Sequence, residues 1–311
     1  MHRCFVSSNQ RPQYIAGVYA LGTFDGVHIG HSALIEEAVR IAGERGTACG
    51  VYTFDVHPMQ VVCPERAPAT LMTIHDRLGL MESCGVDVAI VRAFDVGLAR
   101  MAPEFFVTDV LRDSLDAECV VVGFDYSFGH GGAGTPARLE PLARNAGIEA
   151  RVLPPVEIRG ELASSTGIRA ALACGDVGRA ARLLGRRHFV RGVVARGRGV
   201  GRGIGIPTAN VSVPAGIALP MPGVYACVAR SGQSPESPAV CNIGVRPTFD
   251  DQARGVTLEV HIMDASPDLY GTSLTVEFAA RLRDELKFAD PAQLAEQIKE
   301  DMAAARILLS F

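Results

Sequence analysis

Gly22-Thr-Phe-Asp-Gly-Val-His-Ile-Gly-His31 joins an apolar run over residues 15–21 to a segment in which Ala33, Leu34, Ala38 and Ile41 recur at helical spacing. The run reads as a short buried strand and residues 32–43 as a helix. The quoted stretch is therefore a glycine-rich turn between strand and helix. At such a turn the first N–H groups of the helix lack intrahelical partners and point outward, which suits phosphate. The turn also carries His28 and His31, three residues apart and so roughly on one face. Two imidazoles beside helix-start amides fit a site where charge grows on phosphoryl oxygens.

Outward from this turn, apolar runs at 15–21, 48–54, 86–94, 119–124 and 150–156 alternate with helical patterns near 32–43, 75–84, 103–115 and 136–146. Continuous apolar strands separated by helices predict a Rossmann-like α/β domain with a parallel sheet covered on both faces. Ligands then bind beyond the carboxyl ends of the strands. The motif-bearing segments do follow strands: 22–31 after the first, 55–58 after the second and 123–129 after the fourth.

The bulk properties narrow the classes. A chain of 311 residues, 48% hydrophobic and 21% charged, is globular and long enough for two domains. A net charge of −4 gives no support to nucleic-acid or membrane-surface binding. The eight cysteines are scattered without a C-x-x-C pair, as in buried thiols of a reducing compartment. The first ten residues lack a signal-peptide core, and no apolar run approaches the ~20 residues of a membrane helix. The expectation is a cytoplasmic protein with small-molecule substrates and at most weak homo-oligomerisation. The only lysines are Lys287 and Lys299, so no Walker A loop exists. Phosphoryl chemistry must rest on backbone amides, arginine, histidine and a metal.

Three further segments of the first half carry candidates. Thr53-Phe-Asp-Val-His-Pro58 puts His57 and Pro58 at the sheet edge, where His57 either helps hold an acceptor phosphate or is incidental to a turn. Gly123-Phe-Asp-Tyr-Ser-Phe-Gly129 is a second glycine-rich loop in which Asp125 is a candidate for a ribose or a metal-bound water. Phe124, Tyr126 and Phe128 read as core. Ser164-Ser-Thr-Gly-Ile-Arg169 sets three hydroxyls and an arginine at a helix start, a good anion clamp.

His28-Ile-Gly-His31 resembles the H-x-G-H signature of nucleotidyltransferases, which need no covalent enzyme intermediate and work by positioning and charge stabilisation. Taken in order, Gly-Thr-Phe-Asp-Gly-Val-His-Ile-Gly-His, Thr-Phe-Asp-x-His-Pro, Gly-Phe-Asp-x-x-Phe-Gly and Ser-Ser-Thr-x-Ile-Arg resemble the adenylyltransferase module of prokaryotic bifunctional riboflavin kinase/FAD synthetases. That resemblance implies that His28 and His31 contact ATP phosphates and stabilise the transition state. It also implies that Gly22, Phe24, Asp25, Gly30 and Asp125 line the nucleotide, that Ser164, Ser165, Thr166 and Arg169 close over the phosphates, and that His57 and Pro58 lie on the FMN side. The chain departs from the family's pattern at Val56, where proline is frequent, and at His130-Gly-Gly132, where a basic residue is common.

After an arginine-rich helical stretch over 175–187 the pattern changes, and the domain boundary is drawn between residues 185 and 186. Runs at 188–195, 223–229, 239–243, 256–263 and 274–278, spaced by turns, predict an antiparallel β-barrel. A terminal helix from Pro291 to about Leu308 should pack on it through Leu294, Ile298, Met302 and Ala305. Residues 197–205 alternate glycine with arginine or an aliphatic residue and read as a flap over a nucleotide. In Pro207-Thr-Ala-Asn210 the hydroxyl of Thr208 and the amide of Asn210 face one way. They suit Mg²⁺ carrying ATP, and equally a proline turn closed by an Asx bond. Glu259, on a strand with His261, is the candidate base for an alcohol acceptor.

Gly-Arg-x-x-Gly-x-Pro-Thr-Ala-Asn, Pro222-Gly-Val-Tyr225, Asn242-Ile-Gly-x-Arg-Pro-Thr-Phe249, Glu259-Val-His, Asp268-Leu-Tyr-Gly271 and Leu282-Arg-x-Glu-x-Lys-Phe288 resemble the riboflavin kinase module of the same family. The resemblance implies a six-stranded flavin-binding barrel. In it Gly197, Gly205, Pro207 and Asn242 bind ATP and flavin, Thr208 and Asn210 hold Mg²⁺–ATP, Glu259 is the catalytic base, and Arg283 sits in a flavin-side loop. Ile204 stands where leucine is usual. The expected function is phosphorylation of riboflavin to FMN, then adenylylation of FMN to FAD with release of pyrophosphate. The Pro-Thr-Ala-Asn segment and Glu259 weigh against another H-x-G-H transferase, and the intact set of polar residues weighs against a flavin-binding regulator.

Overall fold

The computed structural model describes every residue except 8–9, 197–204, 233, 246–255, 265–268 and 310–311. The chain divides into two compact units, Met1–Ser165 and Thr166–Phe311.

The first unit is built on six parallel strands: β1 (His2–Val6), β2 (Val18–Leu21), β3 (Cys49–Phe54), β4 (Val88–Arg92), β5 (Cys119–Gly123) and β6 (Glu149–Leu153). Their spatial order is β1-β4-β3-β2-β5-β6. The chain winds from β2 to β3 and β4 on one side and then returns to place β5 on the other. The order therefore reverses beside β2, where a crevice opens at the carboxyl ends. Helix α1 (Ile29–Arg45) follows β2 and packs against β2, β3 and β5. Tyr19, Leu21, Val120 and Val122 pack with Phe106, Leu111 and Leu139 in one buried cluster.

Two features depart from the sequence reading. β1 lines the β4 edge although only Cys4 and Val6 of its five residues are buried, too short an alternation to stand out. The expected helix over 103–115 is a short turn, Pro103–Phe105, that widens into a π-helix, Phe106–Arg112. There Asp113 N–H reaches back to the Thr108 carbonyl and Leu115 N–H to that of Val110, five residues each. The wider turn brings Phe106, Val107, Val110 and Leu111 into the core.

The second unit is a closed barrel with strand order β10-β13-β12-β11-β14-β9. Its strands are β9 (His188–Ala195), β10 (Ala209–Ser212), β11 (Gly223–Ser231), β12 (Ser237–Val245), β13 (Val256–Ile262) and β14 (Ser273–Arg283). A small hairpin, β7 (Glu157–Ile158) with β8 (Glu161–Leu162), precedes it in the chain. The terminal helix, Pro291–Leu309, packs on Val224, Ala226, Val228 and Val240 through Ala305 and Leu309, with Met302 partly buried. Leu294 and Ile298 are only half-buried, whereas the buried turn carries Asp301.

Candidate active sites

The crevice beside β2 is shaped by an unusual backbone. Phe24, Gly26 and Val27 have φ of 51°, 88° and 39°. Glycine adopts this region freely, whereas each of the other two costs on the order of 1–3 kcal/mol. Full burial of both side chains holds the turn. It delivers His28 to the N-cap of α1, where its Nδ1 accepts from the His31 N–H at 3.4 Å. The two imidazoles stack, centroids 3.6 Å apart and planes 20° from parallel, and the ring of Phe24 meets that of His31 at 5.3 Å in a T-shaped contact. A Cβ on Gly30 would lie 3.2 Å from the His28 ring, so glycine gives that ring its place. His28 is 6% exposed and His31 partly exposed.

Asp25 is buried and ties three segments together. Its Oδ1 accepts from Leu71 N–H at 2.8 Å, and its backbone carbonyl accepts from the Ser165 hydroxyl at 2.7 Å. Ser165 opens helix Ser165–Ala173, with Ser164 immediately before it; Thr166 and Arg169 continue that helix in the second unit. Asp125 is exposed in the turn after β5, close enough that a Cβ on Gly123 would sit 3.2 Å from its Oδ1. Of the aromatics there, Phe128 and Tyr126 join the core, but Phe124 is 42% exposed. The expectation of a core Phe124 is corrected: the turn closed by Tyr126 N–H on the Gly123 carbonyl leaves its ring outside.

A cavity of about 120 Å³ opens at the ends of β2 and β3, lined in part by Thr23, Asp25, Asp55, His57, Thr73 and Arg77. His57 Nδ1 accepts from Met59 N–H at 3.2 Å, and Pro58 starts the following helical turn. Arg77 lies on the buried face of helix Ile74–Ser83. Its guanidinium donates to the carbonyls of Thr23 and Phe54, the latter at 2.8 Å, and reaches Thr53 Oγ1 at 3.4 Å. Burial lowers its pKa to about 10, against the opposing pull of Asp25 and Asp55. Arg77 escaped the sequence reading, and Thr53 and Asp55 entered it only as part of the quoted motif, without a role of their own. The available signal was an arginine one residue before Leu78 and four before Met81, on a helix stripe that is otherwise buried.

In the barrel, strand register brings the candidates together. Asn210 on β10 stands directly opposite Glu259 on β13, and Asn242 on β12 stands opposite Glu259 from the other side. Directly paired residues point to the same face, so the three side chains form one row, each partly buried. Asn242 Nδ2 donates to Glu285 Oε1 at 3.1 Å. Pro207 and Thr208 lead into β10, and the Pro207 carbonyl accepts from His261 Nδ1 at 2.8 Å. Gly205 has φ 77°. Gly197, with residues 246–249 and Asp268 of the motifs quoted above, lies outside the described residues. Arg283 forks onto Asp301 of the terminal helix, at 2.9 and 2.7 Å, and Asp301 is 4% exposed. Its guanidinium therefore holds that helix to the barrel.

Residues 10–167 match the family model for FAD synthetase and residues 184–309 that for riboflavin kinase. The chain is 36% identical over 291 residues to the bifunctional riboflavin kinase/FMN adenylyltransferase of Bacillus subtilis, covering 93% of this chain and 91% of that one. It is 38% identical over 301 residues to the enzyme of the same description from Pseudomonas fluorescens, covering 96% and 95%. In structure it resembles a chain from Streptococcus pneumoniae described as a macrolide-efflux protein, with a TM-score of 0.87, 30% identity, and 97% and 99% of the two chains covered. Among the described residues here, no helix is long and apolar enough to cross a membrane.

Proposed function

The chain belongs to the bifunctional riboflavin kinase/FMN adenylyltransferase family, and from that membership we propose how its residues divide the work. It phosphorylates riboflavin with ATP to FMN, and it adenylylates FMN with a second ATP to FAD, releasing pyrophosphate. The functional division follows residues 1–185 and 186–311, supported by the start of the riboflavin kinase match at residue 184.

In the first half the acceptor phosphate attacks the α-phosphorus of ATP while pyrophosphate leaves. Charge builds on the phosphoryl oxygens. His28 and His31, stacked at the amino end of α1, stabilise that charge together with the helix-start N–H groups. Gly22, Phe24, Asp25 and Gly30 shape the turn that holds the pair. Ser164, Ser165, Thr166 and Arg169 contribute hydroxyl and guanidinium donors to the phosphates, and Asp125 meets the nucleotide. His57 and Pro58 face the FMN. The observation that carries this half is the stacked pair at the strand-order reversal.

In the second half Glu259 accepts the proton of riboflavin's ribityl hydroxyl as its oxygen attacks the γ-phosphorus and ADP leaves. Asn210 and Asn242 flank Glu259 in one row. Thr208 and Asn210 offer neutral oxygen donors, the type Mg²⁺ takes beside phosphate and water, so the donor set fits that ion. When bound, it neutralises charge on the ATP phosphates. Gly197, Gly205 and Pro207 contact ATP or flavin. Arg283 sits in the flavin-side loop, and its fork onto Asp301 ties that loop to the terminal helix. Small-molecule substrates, a cytoplasmic setting suited to eight free thiols, at most weak self-association, and no role for nucleic acid or membrane complete the reading.

Product analysis by chromatography tests it. With riboflavin, ATP and Mg²⁺, Glu259→Gln gives no FMN yet converts supplied FMN to FAD, and His28→Ala accumulates FMN without FAD. Loss of both activities in either variant counts against the division.

A further inference from the structure

The guanidinium of Arg77 links the two catalytic turns of the adenylyltransferase half. Thr23 belongs to the turn that carries His28 and His31, and Phe54 opens the turn that carries His57. One side chain donates to both carbonyls, and the Thr53 hydroxyl, itself bonded to Thr23 O at 3.2 Å, lies within its reach. The side chain is 7% exposed, and it lines the cavity between the turns. Its Nε is buried without a hydrogen-bond partner among the described residues. A buried cation whose bonds go to backbone carbonyls rather than to a carboxylate is costly to fold around. Hydrophobic packing of the helix requires only an apolar residue at this position.

We propose that Arg77 is a positioning residue for adenylyl transfer: it sets the distance between the nucleotide-side turn and the acceptor-side turn, and hence between the α-phosphorus and the phosphate that attacks it. The planar fork suits this task because its two ends bond two different strand ends at a fixed separation. A lysine keeps the charge but reaches only one carbonyl at a time. The proposal rests on the reading of His57 as acceptor-side. A misplacement of about 1 Å costs ~100-fold in rate.

Steady-state kinetics of FAD formation from supplied FMN test it, with FMN formation from riboflavin as an internal control in the same chain. Arg77→Lys is expected to lower kcat at least ~10-fold and raise KM for FMN, with KM for ATP and the kinase step unchanged. Wild-type constants in Arg77→Lys overturn the proposal. So does a fall in kcat with neither KM moved that matches the unfolded fraction seen in the thermal melt. Where thermal melting shows that Arg77→Lys does not fold in the first unit, Thr53→Val decides. It removes one hold and keeps the charge, and the same shift is expected in smaller measure; unchanged constants overturn the proposal. His57→Ala separates the two readings: KM for FMN unmoved there, but raised in Arg77→Lys, removes His57 from the acceptor side and leaves Arg77 in its role.

Discussion

His28 and His31 stack ring on ring, 3.6 Å between centroids, while the same His28 ring caps the helix on which His31 sits. One imidazole thus caps the helix and, in the proposed mechanism, also serves the chemistry, and a substitution can separate the two. Asparagine is as good an N-cap as any residue but cannot stack. His28→Asn should keep the melting temperature of the first unit within a few degrees and lower FAD formation by ~10²–10³, the loss typical of one charge-stabilising donor. Calorimetry and the product assay check the two halves of that statement.

Gly30→Ala tests the same pair from behind. Alanine is favoured over glycine in a helix by about 1 kcal/mol, so fold stability should hold or rise. The new Cβ, 3.2 Å from the His28 ring, requires that ring to shift by a few tenths of an ångström against its partner. Adenylylation should fall several-fold while riboflavin phosphorylation stays level, as read by FAD and FMN yields.

Asp301 is a buried carboxylate onto which Arg283 forks, with Gln297 Nε2 a more distant donor at 3.5 Å. Removing one partner of such a pair costs ~3–5 kcal/mol, whereas replacing both by apolar residues is close to neutral. Asp301→Ala should melt the barrel unit early and weaken kinase activity. Arg283→Met with Asp301→Leu should recover most of the stability. A double-variant melt no better than that of Asp301→Ala alone would refute the pairing.

His188 makes the barrel sensitive to acid. The ring is 2% exposed, donates to the Ala218 carbonyl at 3.1 Å and stacks on Phe278. Burial lowers its pKa from 6.5 to about 4, with the Ala218 hydrogen bond opposing. The folded pKa is depressed, so the unfolded chain binds the proton first as pH falls. Stability is fully present above pH 6.5 and declines toward pH 4, by up to about 3 kcal/mol. Denaturant melts of the second unit at pH 7.5 and 5 should show the drop, and His188→Gln should flatten it.

Much of this was legible because the sequence reports backbone periodicity and turn chemistry directly. The alternation of 15–21, 32–43 and 48–54 gave the parallel sheet, and Gly26 and Gly30 marked the tight turn, one by its positive φ and the other by the His28 ring packed against it. The barrel followed from short runs between glycine and proline. The apolar stripe at Leu78 and Met81 hinted that Arg77 is buried, but its partners were illegible, since only the fold shows the carbonyls of Thr23 and Phe54 converging on it. The Asn210–Glu259–Asn242 row needed strand register, which no single segment encodes. That Arg283 also pairs with Asp301, eighteen residues on, was not legible in its motif, because the contact depends on where the terminal helix lies.

Barrel closure also constrains how the protein is made. β9 pairs with β10 locally, Ala195 against Asn210, but its other edge waits for β14, where Val193 meets Ser273, 80 positions later (273 − 193). During synthesis the first unit is complete before any of the barrel closes, so it folds first. The kinase half follows only after nearly the whole chain has emerged, because that long loop must be closed before its contacts reward it. Until then β9 and β11 present bare edges, and the nascent kinase is the phase of highest aggregation risk. Ribosome pausing or truncation ahead of residue 273 would release a chain able to consume FMN but not to supply it.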